Sequence, residues 1–420
     1  MNFKKTAALL LTGAMIIGAV PVYAEEGGSD VTLSVSIWDS YQEPGIKEIL
    51  AGFTEKTGIK TELSVIKWDE YWTMLEAGAQ GGSLPDVFWM HSNESERYMS
   101  NDMLLDLTDK IAESDAIDPA NYPEDIWGLY TYNDKYYAVP KDVDTIALWY
   151  NKTMFDEAGL DYPTTDWTWD DMFEAAKKLT KEDGSQYGLA IRSDNNQAGY
   201  YNLVYDNGGY IISDDKTKSG WDDEKTIEAM QQLEEWINAG VMPSLETMSE
   251  NGEDVLFQSG KVAMVLQGSW MLAAYKENEY TSANCDVIEL PKSAETGRRV
   301  SVYNGLGWAA SASGEHTEEA WQLIEYLGSE DAQKQQAELG VTMSAYTGTS
   351  DAWVNSAPQF NLQAYLNMME DMEIRPYSRS TVAWENENAE ILKGVYTGEL
   401  TMEEACRQMA EQMNEKLAEE

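Results

Sequence analysis

Between residues 31 and 90 the chain alternates strand-like and helix-like runs, and this alternation constrains the fold more than any other feature. Residues 31–38 switch between apolar and small polar side chains, the period-two pattern of a strand, and run into a turn at Asp39. Residues 44–57 place Ile46, Ile49, Leu50 and Phe53 on one helical face and stop at Gly58. Residues 60–66 predict a second strand. A second helix follows over 69–79, ending at Gly81-Gly82, and 86–90 form a short apolar run suited to a strand buried on both faces. A β-α-β-α-β order calls for a parallel sheet with right-handed crossovers.

A second unit begins near Ile146. Strands are expected over 146–150, 187–191 and 262–266. Thr168 caps a helix carrying Met172, Phe173, Ala176 and Leu179. Residues 224–239 turn Ile227, Met230, Leu233, Trp236 and Ile237 inward and close at Gly240. Residues 300–310 return as one strand, and Thr317 is expected to cap a helix through Leu327. Thr401-Met402-Glu403-Glu404 is a capping box opening the last helix. A length of 420 residues suits two domains. With no repeat and no low-complexity linker, the two units are expected to touch and to exchange chain segments.

The N-terminus predicts export. Lys4 and Lys5 precede an apolar stretch over residues 6–20, and Val22 and Ala24 stand at the spacing a signal peptidase reads, so cleavage is expected after Ala24. Leu11-Thr12-Gly13-Ala14 has Ala where a lipoprotein signal carries its lipidated Cys, so no lipid anchor is expected. No later segment approaches the about 20 apolar residues of a membrane helix. The net charge of −45 argues against nucleic acid as a partner, because phosphates repel it. Cys285 and Cys406 are expected to be packed free thiols.

Enzyme chemistry finds little support. With two histidines, no HExxH and no paired CxxC, neither a zinc site nor any other metal or cofactor is expected. Gly305-Leu306-Gly307-Trp308-Ala309-Ala310 fits GxGxxA in letters, but no helix opens at its glycines. A glycosidase needs two suitably spaced carboxylates. Among 74 acidic residues that requirement does not discriminate, so a secreted carbohydrate-active enzyme stands as the alternative, beside a receptor for a cationic solute such as a polyamine.

The aromatic residues carry more information. There are 15 Trp and 24 Tyr against 7 Phe, and Trp and Tyr join a flat apolar face to a hydrogen-bonding tip, as a sugar ring requires of its binder. Ligands in open α/β sheets bind beyond the carboxyl ends of the strands. The first strand ends at Trp38, Asp39 and Tyr41, the second at Trp68, and the third at Trp89, His91 and Asn93. In the second unit the strand from Val262 runs into Gln267-Gly268-Ser269-Trp270, where the glycine admits close backbone approach.

Several segments, in order, carry a family resemblance. They are Phe53-Thr54-Glu55-Lys56-Thr57-Gly58, Leu84-Pro85-Asp86-Val87-Phe88-Trp89, Tyr137-Ala138-Val139-Pro140 leading to Leu148-Trp149-Tyr150-Asn151-Lys152, Asn207-Gly208-Gly209-Tyr210, Phe257-Gln258-Ser259-Gly260-Lys261 through Gly268-Ser269-Trp270, and Glu319-Ala320-Trp321. The chain resembles the extracellular solute-binding proteins of ABC sugar importers, the family of maltose-binding protein. The resemblance implies an α/β, two-lobed, type II periplasmic-binding-protein-like fold with mixed sheets in each lobe and a ligand cleft between them. Lobe one would hold residues 25–143 and 303–350, and lobe two residues 144–302 and 351–420. It further implies a monomer, no catalysis, a carbohydrate, expected to be an oligosaccharide, captured in the cleft by hinge closure, and docking on the transmembrane subunits of an ABC permease.

By the same resemblance, first-loop contacts fall on Asp39, Tyr41 and Glu43, and pocket residues after the third strand on Trp89, His91, Ser92 and Asn93. A hinge carboxylate falls on Asp144, a second-lobe loop on residues 196–200, and stacking aromatics on Trp270 and Trp384. Asp39 and Asp144 would accept hydroxyl hydrogen bonds, with a turn cap and a hinge hydrogen bond as their alternatives. His91, Asn93, Asn196 and Asn304 would donate or accept at the rim, and Trp68 and Tyr200 would extend the cleft. Arg379 would suit a hydroxyl pair or an acidic sugar, against a surface salt bridge. Ser92 and Asn93 stand where maltose-binding protein has a charged pair, which points to a glycan other than maltose.

Overall fold

The computed structural model describes residues 31–420; the leader and its expected cleavage site at Ala24 lie outside the described residues. Thirteen strands occur among them: β1 Thr32–Ile37, β2 Lys60–Val65, β3 Val87–Met90, β4 Thr131–Tyr132, β5 Lys135–Tyr136, β6 Ala138–Pro140, β7 Ile146–Asn151, β8 Tyr187–Ala190, β9 Val262–Gly268, β10 Cys285–Ile288, β11 Ser301–Tyr303, β12 Gly307–Ala310 and β13 Met372–Ile374. One sheet runs β2-β1-β3-β12-β6. Its first three strands are parallel, and β12 lies antiparallel between β3 and β6. The other sheet runs β10-β7-β9-β8, with β8 parallel to β9 and the rest antiparallel.

The expected periodicities produce these layers. Helix Glu43–Thr57 presents Ile46, Ile49, Leu50 and Phe53, each at most 2% exposed, to the first sheet, and ends at Gly58 with φ 76°. Burying each such side chain stabilises the fold by about 1.5–3 kcal/mol. Helix Trp169–Leu179 opens with the capping box of Thr168 and Asp171 and packs on the second sheet. Helices Thr381–Tyr396 and Met402–Leu417 pack on each other and against helix Glu224–Asn238. Both thiols are free and buried, and burial pushes each up to about 12.

The chain crosses between the sheets along two extended segments, 141–145 and 304–306, and these pair with each other. Asp144 N–H donates to Asn304 O at 2.9 Å, and Asn304 N–H returns to Asp144 Oδ1 at 3.0 Å. A third crossing lies alongside, where Val143 N–H donates to Met343 O at 3.1 Å.

Two expectations need correction. The single strand over 300–310 is two strands in different sheets, β11 beside β13 and β12 in the first sheet. The break follows from donors diverted to carboxylates: Asn304 N–H goes to Asp144 and Leu306 N–H to Asp142 Oδ1 at 2.6 Å. Between them, a Cβ on Gly305 would lie 2.2 Å from Asp142 O, so only glycine permits the crossing. The second correction concerns Thr317, which is the first residue inside helix Thr317–Gly328 rather than its cap; His316 holds the cap position and makes no side-chain cap bond.

Candidate functional site

The carboxyl ends of β1 and β3 and the start of helix Trp68–Gly81 build one wall of a cleft between the two sheets. Trp38, the residue after β1, sits at the centre of an aromatic cluster. Its ring lies 5.0 Å from Trp68, 6.0 Å from Trp72 and 4.9 Å from Trp89. Trp68 remains 38% exposed, so it covers the cluster while offering a face to the cleft. Trp270 comes from the opposite side. It follows β9 in a short 3₁₀ turn, and its ring lies so close to Gly268 that a Cβ there would come within 2.0–2.2 Å of three ring carbons. The glycine therefore seats the ring.

Trp38, Trp68 and Trp270, with Asp39, His91 and Asp144, line an inner cavity of about 230 Å³. Asp39 is held by Tyr41 N–H at 2.8 Å and Gln42 Nε2 at 3.0 Å, and burial raises its pKa. Behind it lies Lys141, fully buried. Its Nζ is 2.7 Å from Asp142 Oδ2, 3.0 Å from Gln42 Oε1 and 4.4 Å from the Trp89 ring centre. A buried cation needs such partners, and Gln42 relays the anchoring from Lys141 to Asp39.

Asp144 marks the crossing. Its Oδ1 accepts both the Asn304 N–H and Gln197 Nε2, the latter at 2.7 Å. Gln197 stands in a wide π-type turn, Asn196–Tyr200, which Asn202 Nδ2 clamps by donating to Gln197 O and Gly199 O at 2.7 and 2.9 Å. Burial, then the nearby Asp142 charge, push the Asp144 carboxyl up to about 8. His91 caps helix Ser92–Ser100 by accepting Asn93 N–H on Nδ1 at 3.2 Å. Burial, then the charge of Arg375, hold its pKa well below the usual range, so the ring is neutral and its proton sits on Nε2. Nε2 lies 3.1 Å from the side-chain amide of Asn304, and because Nε2 carries the proton, the hydrogen bond between them forms with the amide turned to present Oδ1.

Beyond Trp68 the cleft continues outward. A compartment of about 280 Å³ is shared by Trp68, His91, Asn93, Asn195 and Arg375, and it opens to a larger one of about 710 Å³ beside Asn196, Arg192 and Glu385. On one flank Lys216, on the loop before Ser219, pairs with Glu96 on helix Ser92–Ser100 at 3.1 Å and lies over the Tyr377 ring.

Of the sequence candidates, the structure brings together Asp39, Trp68, His91, Asn93, Asp144, Asn196 and Trp270, with Asn304 attached through His91. The others lie elsewhere. Trp89 is fully buried and edge-on to Trp308, its register partner on β12. Tyr200 packs against Tyr201 and Trp221 and donates to Ser193 O at 3.2 Å. Trp384 is fully buried in the core of the second sheet's layer, its Nε1 donating to Ser378 Oγ at 3.1 Å, while Val382, Glu385 and Asn386 of the same helix reach the cleft. Tyr41 is 45% exposed and Glu43 pairs with Lys47, neither of them lining the cleft cavities. Arg379 has its backbone tied to Glu420; the arginine of this segment that reaches the cleft is Arg375, four residues earlier. Gln42, Asn195 and Arg375 escaped the sequence reading, while Gln197 falls within the expected loop 196–200. Only Arg375-Pro376, a cation in an enforced extended segment, offered a signal.

No helix among the described residues is long and apolar enough to cross a membrane, and none of their side chains gather as a metal-binding group. Comparison with known proteins places this architecture. The galactooligosaccharide-binding protein of Bacillus subtilis is 25% identical over 355 residues, 79% of this chain and 78% of that protein. The maltodextrin-binding protein of the same organism is 23% identical over 389 residues, 90% of this chain and 87% of that one. An ABC substrate-binding protein of Listeria monocytogenes, solved in complex with cycloalternan, superposes with a TM-score of 0.86 at 22% identity, covering 93% of this chain and 100% of that one. The family model described as bacterial extracellular solute-binding protein matches residues 39–334, and the chain, with its two sheets and intervening cleft, belongs to that family.

Proposed function

We propose that this chain is the extracellular substrate-binding component of an ABC transporter, that it captures a carbohydrate in the cleft, and that it hands the sugar unaltered to a membrane permease. One observation carries the reading: three tryptophans and three polar side chains, Asp39, His91 and Asp144, converge on one cavity. Tryptophan faces match the C–H faces of a sugar ring, and fixed donors and acceptors match its hydroxyls. The names of the relatives, which bind galactooligosaccharide and maltodextrin, support the same class. In this reading the chain is exported, loses its leader after Ala24, carries no lipid anchor, works as a monomer and performs no catalysis. Sheet membership supports a division into lobe one, 25–143 with 303–350, and lobe two, 144–302 with 351–420.

A thermal-shift screen against mono- and oligosaccharides, with a polyamine control, tests the ligand class. A sugar at about 100 times its Kd stabilises the folded state by about 2.7 kcal/mol, which raises the melting temperature by several degrees. A shift with the polyamine alone would replace the ligand class while keeping the fold. Appearance of new reducing ends would replace the transport reading with a hydrolase.

The site also predicts a pH dependence. Asp144 titrates near 8 in the ligand-free protein, well above its unfolded value of 3.8. The folded chain therefore holds one more proton here than the unfolded chain between about pH 4 and 8, and Asp144 lowers stability progressively as pH rises through that window. Sugar hydroxyls donating to the carboxylate favour its charged form. Affinity is then expected to rise as pH approaches 8, to level off above it, and to lose this dependence in Asp144→Asn. Because burial holds the His91 pKa well below its ordinary 6.5, no step is expected near 6.5. Calorimetry at a series of pH values checks both statements.

A further inference from the structure

Away from the crossing segments, one ion pair ties the two lobes together. Residues 213–219 form a turn that is braced from within. Ser213 Oγ and Thr217 Oγ1 donate to Asp215 Oδ1 at 2.7 and 2.8 Å, and Lys218 N–H donates to Ser213 Oγ at 3.0 Å. The base of the turn is fixed to the last helix, where Ser219 N–H donates to Asn414 Oδ1 at 2.8 Å. At the tip, Lys216 has φ 56°, a left-handed conformation that glycine adopts freely and lysine only at a cost. That strained position gives the side chain its reach. Its Nζ lies 3.1 Å from Glu96 Oε2, on the helix that follows β3 of the first sheet, and 3.3 Å from the centre of the Tyr377 ring. Of the ion pairs among the described residues, this is the one that joins the lobes as divided above. Arg192–Glu253, Arg298–Asp371 and Arg375–Glu385 lie within lobe two, and Arg97–Glu76 and Lys110–Glu318 within lobe one.

We propose that Lys216 and Glu96 form an electrostatic latch that favours the closed arrangement of the lobes and weakens as ionic strength rises. Lys216 is braced on one lobe and Glu96 is carried by a helix of the other, so a rotation that parts the lobes at this flank breaks the pair. The two side chains are 32% and 19% exposed, which limits the competition from water, and the Tyr377 ring adds a cation–π contact to the same ammonium. Both partners adjoin residues of the cleft. Glu96 stands one helical turn after Asn93, and Tyr377 two residues after Arg375, so a change in the cleft lining reaches the latch through its own supports. An ion pair with an aromatic face shifts such an equilibrium rather than fixing it, by about three- to tenfold in the closed-to-open ratio. The latch acts on the chain whatever the class of its ligand.

Small-angle scattering of the ligand-free chain, fitted as a mixture of closed and open forms, tests this without any sugar. At low salt Lys216→Gln is expected to lower the closed-to-open ratio about three- to tenfold, and Glu96→Lys, which turns attraction into repulsion, to lower it further. Lys110→Gln removes the same charge from a pair within lobe one and serves as the control, expected to scatter like the wild type. At about 1 M salt, where charges are screened within about 3 Å, the differences between the wild type and the variants are expected to shrink toward nothing. Circular dichroism confirms that each variant is folded, which the partly exposed positions favour. Variants as closed as the wild type at low salt would overturn the proposal. So would a control that opens equally, since the effect would then follow from net charge, or a difference that persists undiminished at high salt, since it would then follow from packing.

Discussion

Trp270→Ala is expected to weaken sugar binding by about 10- to 100-fold while leaving the melting temperature of the ligand-free protein within a degree or two. The ring lies at the cleft surface, half-buried, over the backbone of Gly268. Its removal opens no closed cavity, so the loss falls on the complex. A stacked aromatic contributes about 0.5–1.5 kcal/mol beyond the area it buries, and the apolar area adds about 25 cal/mol per Å². At about 1.4 kcal/mol per factor of ten, the sum reaches one to two decades. Calorimetry and a melting curve on one preparation separate the two effects. Unchanged affinity would remove Trp270 from the site.

Trp384→Ala is expected to do the reverse. The indole is fully buried in the cluster that joins the second sheet to the C-terminal helices, and its Nε1 is bonded to Ser378 Oγ. Truncating a buried tryptophan costs about 3–5 kcal/mol through lost transfer energy and the cavity left behind. The variant should melt well below the wild type, yet bind sugar within about twofold at temperatures where it remains folded. A large affinity loss without destabilisation would return Trp384 to the cleft.

These two tryptophans show how much of the site the sequence discloses. Each follows a turn and each is aromatic in a polar neighbourhood, so they look equivalent along the chain. What separates them is helix phase and tertiary packing: one is held over a glycine at the end of β9, the other rotates into a core formed by residues hundreds of positions away in sequence. The elements themselves were far more legible. Periodicity marks the helix over Ile46, Ile49, Leu50 and Phe53, Thr168 caps its helix as expected, and Thr401 with Glu404 makes the expected capping box. The strand over 300–310 misled because its apolar letters conceal a crossing whose donors serve Asp144 and Asp142. Arg375 stayed hidden for a related reason. Nothing local distinguishes an arginine paired outward from one buried against Glu385 with a free Nη1, and Arg379 seemed as good a candidate.

The electrostatics of the cleft also differ from those of the whole chain. A net charge of −45 spreads over the surface, but inside the cleft several acidic groups are paired: Asp142 with Lys141, Glu253 with Arg192, Glu385 with Arg375. Two carboxyls of the inner cavity, Asp39 and Asp144, are pushed up by burial. Such a lining offers directed hydrogen bonds, which suits a ligand rich in hydroxyls.

Titration calorimetry of the purified chain with the oligosaccharide that gives the largest thermal shift, followed by chromatography of the recovered sugar, tests the central claim most directly. The account predicts saturable binding of one ligand molecule per chain, with the sugar returned intact. Absence of binding to every neutral sugar tried, or recovery of shorter fragments, would contradict it.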